Sequence, residues 1–222
     1  MDNIKVSAFR WVPPFAQGYV RDLRVRWALE EAGLPYAQRL IGPADQKSAA
    51  YRALQPFGQV PAFEEAGLAL FESGAIVLHI AERSEALMPA DAADRARVRT
   101  WMFAALNTVE PPILMLNVID LQPGGAQEGE KALRARVVKY IDLRLGELAD
   151  ALGSQPYLVA DRFTAADLLM ATVLRLIDAA DRVTARPLLD DYQARCVARP
   201  AFHKALADQM AVFAQHAPPA AG

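Results

Sequence analysis

The chain has 222 residues, 53% apolar and 23% charged, with a formal net charge of −2 and both signs spread evenly along it. That length suits one large domain or two small ones, and the charge balance builds no basic face for phosphates, so no nucleic-acid partner is expected. A single cysteine, Cys196, excludes a disulfide framework and any Cys-x-x-Cys redox pair, and neither a signal-like N-terminus nor an apolar run near the ~18 residues that cross a bilayer is read, so a soluble cytoplasmic protein with no membrane partner is expected.

Ile4 to Phe9 alternates apolar and polar residues and predicts a first strand. A loop marked by Pro13-Pro14 and Gly18 follows. Leu23 to Ala32 carries a helical pattern that Gly33 ends and Pro35 forbids to continue. Tyr36 to Ile41 predicts a second strand, and a short helix, about 46–54, stops before Pro56. Val60 to Phe63 and Leu68 to Phe71 predict two short strands around a turn at Ala66-Gly67, and a helix opens at Ser73. The order β-α-β-α-β-β-α implies a parallel first pair joined by a right-handed crossover and an antiparallel last pair. A mixed four-stranded sheet covered by helices is the economical solution.

Residues 85–93, with Pro89, read as a linker between a first domain over 1–84 and a second over 94–222. Strand signals nearly vanish beyond it, giving an α/β plus all-α chain. Arg95 to Asp120 predicts a long helix that Pro111-Pro112 should kink or break. Gly124-Gly125 marks a loop, and Glu130 to Leu152 a second long helix ended by Gly153. Further helices are expected from about Thr164, Pro187 and Pro200, and the tail from Ala217 reads as frayed. Cys196 falls on a helical pattern and reads as a buried packing residue. His79, His203 and His216 have no metal-ligand spacing, so no metal is expected.

Three motifs carry chemical information. In Gly58-Gln59-Val60-Pro61-Ala62-Phe63, proline is the residue for which a cis bond costs little. A cis turn there would expose the amide and carbonyl of Val60 to pair with an extended peptide; an ordinary trans proline at a strand start is the plain alternative. In Phe71-Glu72-Ser73-Gly74-Ala75-Ile76 a strand ends and a helix begins. Ser73 is placed to cap that helix, whose first-turn amides favour an anion; the plain alternative is a cap beside a solvated acid. Phe163-Thr164-Ala165-Ala166-Asp167 reads as a capping box, with the hydroxyl taking one free amide and Asp167 another.

In this order the three motifs resemble the glutathione transferase family, over nearly the whole chain. The resemblance implies a thioredoxin-like N-terminal domain that binds glutathione, a C-terminal all-helical bundle and a homodimer. It implies that Val60 and Pro61 meet the cysteinyl backbone of glutathione, that Ser73 binds the γ-glutamyl carboxylate, and that Glu72 meets its ammonium. Gln46 falls where several classes hold the glycine carboxylate, though it and its neighbour Lys47 read equally well as solvated; Gln59 adds a polar contact. The capping box is structural in the family, and Ala160 stands where glycine is common.

The thiol of glutathione, like free cysteine, has a pKa near ~8.5 and must be held as thiolate to act as nucleophile. The family uses a hydroxyl near the first helix, or a cysteine. The N-terminal domain has no cysteine, which argues against the thiol-transferase classes. The serine position falls on Tyr19, which either donates to the thiolate or packs at the helix entry; Arg21 would stabilise the thiolate by charge instead. Ser7 reads as structural within its strand. Trp11 and Phe15 either line the site or pack for stability. The resemblance puts the electrophile pocket between the domains, with Trp101, Phe103, Ala104, Asn107, Thr108 and Met115 as candidates, of which only one helix face could take part. The expected function is conjugation of glutathione, as co-substrate, to a small hydrophobic electrophile, or reduction of a peroxide. The alternative is a catalytically silent relative that keeps the fold as a ligand-binding or interaction protein.

Overall fold

The computed structural model describes residues 4–121, 128–178 and 182–216. The expected loop at Gly124-Gly125 and the tail from Ala217 lie outside them. The chain divides into two compact units, Met1–Met88 with Val197–Gly222, and Pro89–Cys196.

In the first unit, β1 (Ile4–Phe9), α1 (Asp22–Ala32), β2 (Tyr36–Ile41), α2 (Pro43–Lys47), α3 (Ala49–Leu54), β3 (Ala62–Glu65), β4 (Leu68–Phe71) and α4 (Ser73–Ala81) follow in that order. The sheet runs β2-β1-β3-β4. β1 and β2 are parallel and β3 and β4 antiparallel, as the pattern implied, and β3 is also antiparallel to β1. Alternation along β1 sends Ile4, Val6 and Ala8 to one face, all buried, and Ser7 to the other, where it meets α3. Helices α1 and α4 pack on each other and cover the first face. Gly33 ends α1 in the left-handed conformation at φ 65°.

The short helix expected at about 46–54 is two helices. Ser48 breaks it, because its hydroxyl accepts from the Tyr51 amide and starts α3 afresh. The third strand begins at Ala62 rather than Val60.

The last helix, α10 (Pro200–Gln215), packs on α1 in this unit, so the second domain expected over 94–222 gives up its final helix. Trp27 of α1 meets Phe202 edge-on with ring centroids 4.9 Å apart. Arg199 grips Glu31 through two hydrogen bonds of 2.6 and 2.8 Å. The expected linker is anchored rather than loose, with Leu87 and Met88 buried.

The second unit is helical: α5 (Ala92–Ala104), α6 (Glu110–Asp120), α7 (Glu128–Leu152), α8 (Ala165–Asp178) and α9 (Pro187–Val197). Pro111-Pro112 does not break the long helix. A π-helical turn at Ala105–Val109, closed by the Glu110 amide on the Ala105 carbonyl, immediately precedes the prolines. Its wider bore relieves the clash of each ring with the preceding turn. The resulting run Ala92–Asp120 is long and apolar enough to cross a bilayer by length and composition, contrary to the expectation that no such run exists. Within this unit it is a packing helix instead: α5 lies on α8 and α6 on α7.

The capping box at α8 differs from its expected form. Thr164 donates its hydroxyl to Asp167 at 2.9 Å instead of accepting from an amide. Asp167 does receive the Thr164 amide, and also the Leu158 amide and the Tyr192 hydroxyl. Ala160, where the resemblance expected glycine, has φ 55°, so the turn keeps a conformation that glycine adopts without strain. Cys196 is buried.

Candidate active site

Sheet register gathers the motifs of the first unit. Ala62 pairs with Phe71, so Pro61 and Glu72 lie side by side where the β3–β4 pair ends. Val6 pairs with Phe63 in the antiparallel sense, so the carboxyl end of β1, and the loop leaving it, lie at that same end.

The Val60-Pro61 peptide is cis. The Val60 side chain is buried with Ile41, Tyr51 and Ala62, and Phe9, Val20 and Leu54 pack against them. Its own N–H and C=O make no hydrogen bond within the described residues. The peptide groups on either side are held. The Ala62 amide donates to Ser7 Oγ at 2.6 Å, Ser7 Oγ lies 2.8 Å from Tyr51 Oη, and Tyr51 donates to the Gln59 carbonyl at 2.6 Å. The Ser7 hydroxyl is therefore committed inside the fold.

Gln46 Nε2 donates to the Gly58 carbonyl at 2.8 Å, so its amide ties down the same loop; Lys47 and Gln59 are exposed. Gly58 has φ 66°, and a Cβ there would sit 2.9 Å from both the Gln46 carbonyl and the Arg52 guanidinium, so only glycine fits. The Gly42 amide, and then Arg10, hold the Asp45 carboxyl below its ordinary value and fix α2 beside this loop.

Ser73 does not cap α4 as expected. Glu72 occupies the cap position with φ 68° and ψ 113°, and no side chain caps the helix; Ser73 is its first residue. A glutamate at that φ is strained, a condition that persists where surrounding structure enforces it and that concentrates at functional sites. Glu72 is exposed. Ser73 is buried, and Arg24, itself 3% exposed, donates to its hydroxyl from α1 at 3.3 Å. A buried guanidinium thus backs the helix terminus where an anion is already favoured. Arg24 is the third residue of α1, and no sequence pattern there signals that it turns inward.

The loop from Arg10 to Arg21 is stapled by Gln17, which donates to the Val12 carbonyl, and by the Tyr19 amide on the Ala16 carbonyl. Tyr19 is 41% exposed and Arg21 half-buried, flanking Val20, whose side chain packs on the Val60 cluster. Gln209 of α10 donates to the Val20 carbonyl at 3.2 Å and to Asp22 at 2.8 Å. Trp11 is half-buried and Phe15 67% exposed. In the second unit, Trp101 and Ala104 are half-buried, while Phe103, Asn107, Thr108 and Met115 are exposed. Asn107 and Thr108 lie within the π-helical turn. Among the described residues no cluster of His, Cys, Asp or Glu side chains is arranged to hold a metal ion.

Known proteins resemble this chain in sequence and fold. Residues 16–82 match the glutathione S-transferase N-terminal domain and residues 101–200 the C-terminal domain. Glutathione S-transferase 3 of Zea mays is 32% identical over 205 residues, which cover 83% of this chain and 88% of that protein. A glutathione transferase of Burkholderia graminis, solved with two glutathione molecules per subunit, superposes with a TM-score of 0.79 at 26% identity, over 92% of this chain and 87% of that one. A family member from Pseudomonas fluorescens, also solved with two glutathione molecules, gives a TM-score of 0.79 at 25% identity, over 91% and 92% of the two chains. With both domains matched in order and a relative aligned over most of its length, the chain belongs to the glutathione S-transferase family of enzymes.

Proposed function

We propose that this enzyme docks glutathione along the free N–H and C=O of Val60, beside Pro61, with the γ-glutamyl end at Glu72 and Ser73. Its thiolate then attacks a small hydrophobic electrophile: the sulfur–carbon bond forms, the leaving group departs with its electron pair, and the thiol proton passes to solvent. Reduction of a peroxide by two glutathiones, giving a disulfide, an alcohol and water, is the related activity. The observation that carries this reading is an unpaired peptide edge at Val60 next to a strained helix entry, backed by Arg24. The solved relatives that hold glutathione support it. Gln46 and Gln59 flank the glycine end. Tyr19, or the charge of Arg21, favours the thiolate. Trp11, Phe15, Trp101, Ala104, Asn107 and Thr108 are the proposed electrophile contacts.

Calorimetry with glutathione, followed by thiolate absorbance against pH, tests the reading. Heat on mixing and a thiol pKa below ~8.5 are expected. No heat would sink it. Binding with an unshifted thiol would instead mark a ligand holder.

Ser73→Ala and Glu72→Ala are each expected to weaken glutathione binding by about 1–3 kcal/mol, by removing a charge-assisted contact; equal affinity in both variants would remove the γ-glutamyl assignment. Tyr19→Phe should lower turnover while leaving the glutathione dissociation constant unchanged, and full turnover would leave Arg21 as the thiolate partner. A homodimer is proposed, supported by the exposed apolar residues Leu68 and Phe71 of the edge strand β4 and Phe57 against Phe71. Sedimentation velocity should find twice the chain mass.

A further inference from the structure

Two hydroxyls from distant parts of the first unit hold the Val60-Pro61 loop, and their hydrogens have only one consistent arrangement. The Gln59 carbonyl is an acceptor alone, so the 2.6 Å contact from Tyr51 Oη uses that phenol's single hydrogen. The Ser7–Tyr51 contact at 2.8 Å must then be a donation from Ser7. The Ala62 amide, at 2.6 Å, donates to the same Ser7 oxygen. One directed chain results: Ala62 N–H to Ser7, Ser7 to Tyr51, Tyr51 to the Gln59 carbonyl. Its ends lie on the two residues that bracket Val60-Pro61. Ser7 is 2% and Tyr51 4% exposed, so water does not compete, and each donation strengthens the next. Burial also holds the Tyr51 phenol above its ordinary value, so it stays a donor through the neutral and mildly alkaline range.

We infer that Ser7 and Tyr51 are positioning residues for glutathione: their relay fixes the orientation of the Val60 peptide groups and so sets affinity for the backbone of the tripeptide, without touching the thiol. The inference rests on the proposal that Val60 is the glutathione edge. It separates two roles within one site. Tyr19, or the charge of Arg21, acts on the sulfur, whereas the relay acts on docking alone.

The test uses the full-length wild-type enzyme, Ser7→Ala, Tyr51→Phe and the double variant, each first shown to be folded by circular dichroism. Glutathione affinity by calorimetry, KM and kcat for glutathione, and the pH profile of turnover are then measured. Each single variant should raise the glutathione dissociation constant and KM about tenfold, as the loss of one buried hydrogen bond does. The kcat and the thiol pKa read from the pH profile should stay within about twofold and ~0.2 units of wild type. The double variant should bind no more weakly than about twice the weaker single variant, because either loss breaks the same chain. Wild-type affinity in Tyr51→Phe, additive losses in the double variant, or a fall in kcat with unchanged KM would each overturn the inference. Absence of glutathione binding by the wild-type enzyme would overturn the site assignment itself. Should Ser7→Ala fail to fold, Tyr51→Phe, which preserves volume, decides the matter by itself.

Discussion

Asp167→Ala is expected to lower the unfolding free energy by about 3–5 kcal/mol. The carboxylate is fully buried and receives donors at 2.9 Å from the Leu158 amide, the Thr164 amide, the Thr164 hydroxyl and the Tyr192 hydroxyl. Burial raises its pKa, and those donors pull it back. Alanine would strand them all in a dry interior, where each lost partner costs the desolvation of the group left behind. Asparagine should do only slightly better, since its amide hydrogens would face donors. Urea unfolding followed by far-ultraviolet circular dichroism reads the effect as a fall in midpoint. An unchanged midpoint would mean that the segment between α7 and α8 does not depend on this carboxylate.

Asp22→Ala is expected to cost a similar amount, for an electrostatic reason. Arg26 is 1% exposed and bonds Asp22 through Nε at 2.6 Å, with Gln38 taking Nη2 at 3.0 Å. Burial pushes the Asp22 carboxyl up, against the attraction of Arg26 and the donation from Gln209. Removing the carboxylate leaves a buried guanidinium without a counter-charge, a change that costs about 3–5 kcal/mol in buried pairs. Replacing both partners by apolar residues of similar size, Asp22→Leu with Arg26→Met, should recover most of that loss. The outcome that would refute this is a double variant as unstable as Asp22→Ala. Because Asp22 follows Tyr19–Arg21 directly, the single variant should also lose turnover at temperatures where it remains folded.

Local patterns are legible where a residue's partner is its neighbour. The alternation of Ile4–Phe9 predicts β1 with its observed ends, Gly33 the stop of α1, and the capping box the start of α8. The Ser48 cap is also local, but Gln46–Leu54 scans as one periodic stretch that hides it. What stays hidden otherwise depends on long-range pairing. Ser7 meets Tyr51 across 44 residues and Arg24 meets Ser73 across 49, and no window of periodicity reports either. Asp22 and Arg26 are readable as an i,i+4 pair, but their burial follows only once α10 covers them. The site is legible as positions and only partly as roles. Ser73 has the composition of a cap, yet the backbone gives that place to Glu72, whose positive φ no composition rule would assign to glutamate.

The seating of α10 on α1 has a bearing on synthesis. Gln209 bonds Asp22 across 187 residues, and Arg199 bonds Glu31 across 168. A ribosome emits the sheet, its helices and the whole second unit before the helix that covers α1 exists, so Trp27, Asp22 and Arg26 wait uncovered on the nascent chain. Completion of the first unit then waits for the last helix to be made, and a stop codon ahead of Pro200 would reach back to the loop that carries Tyr19.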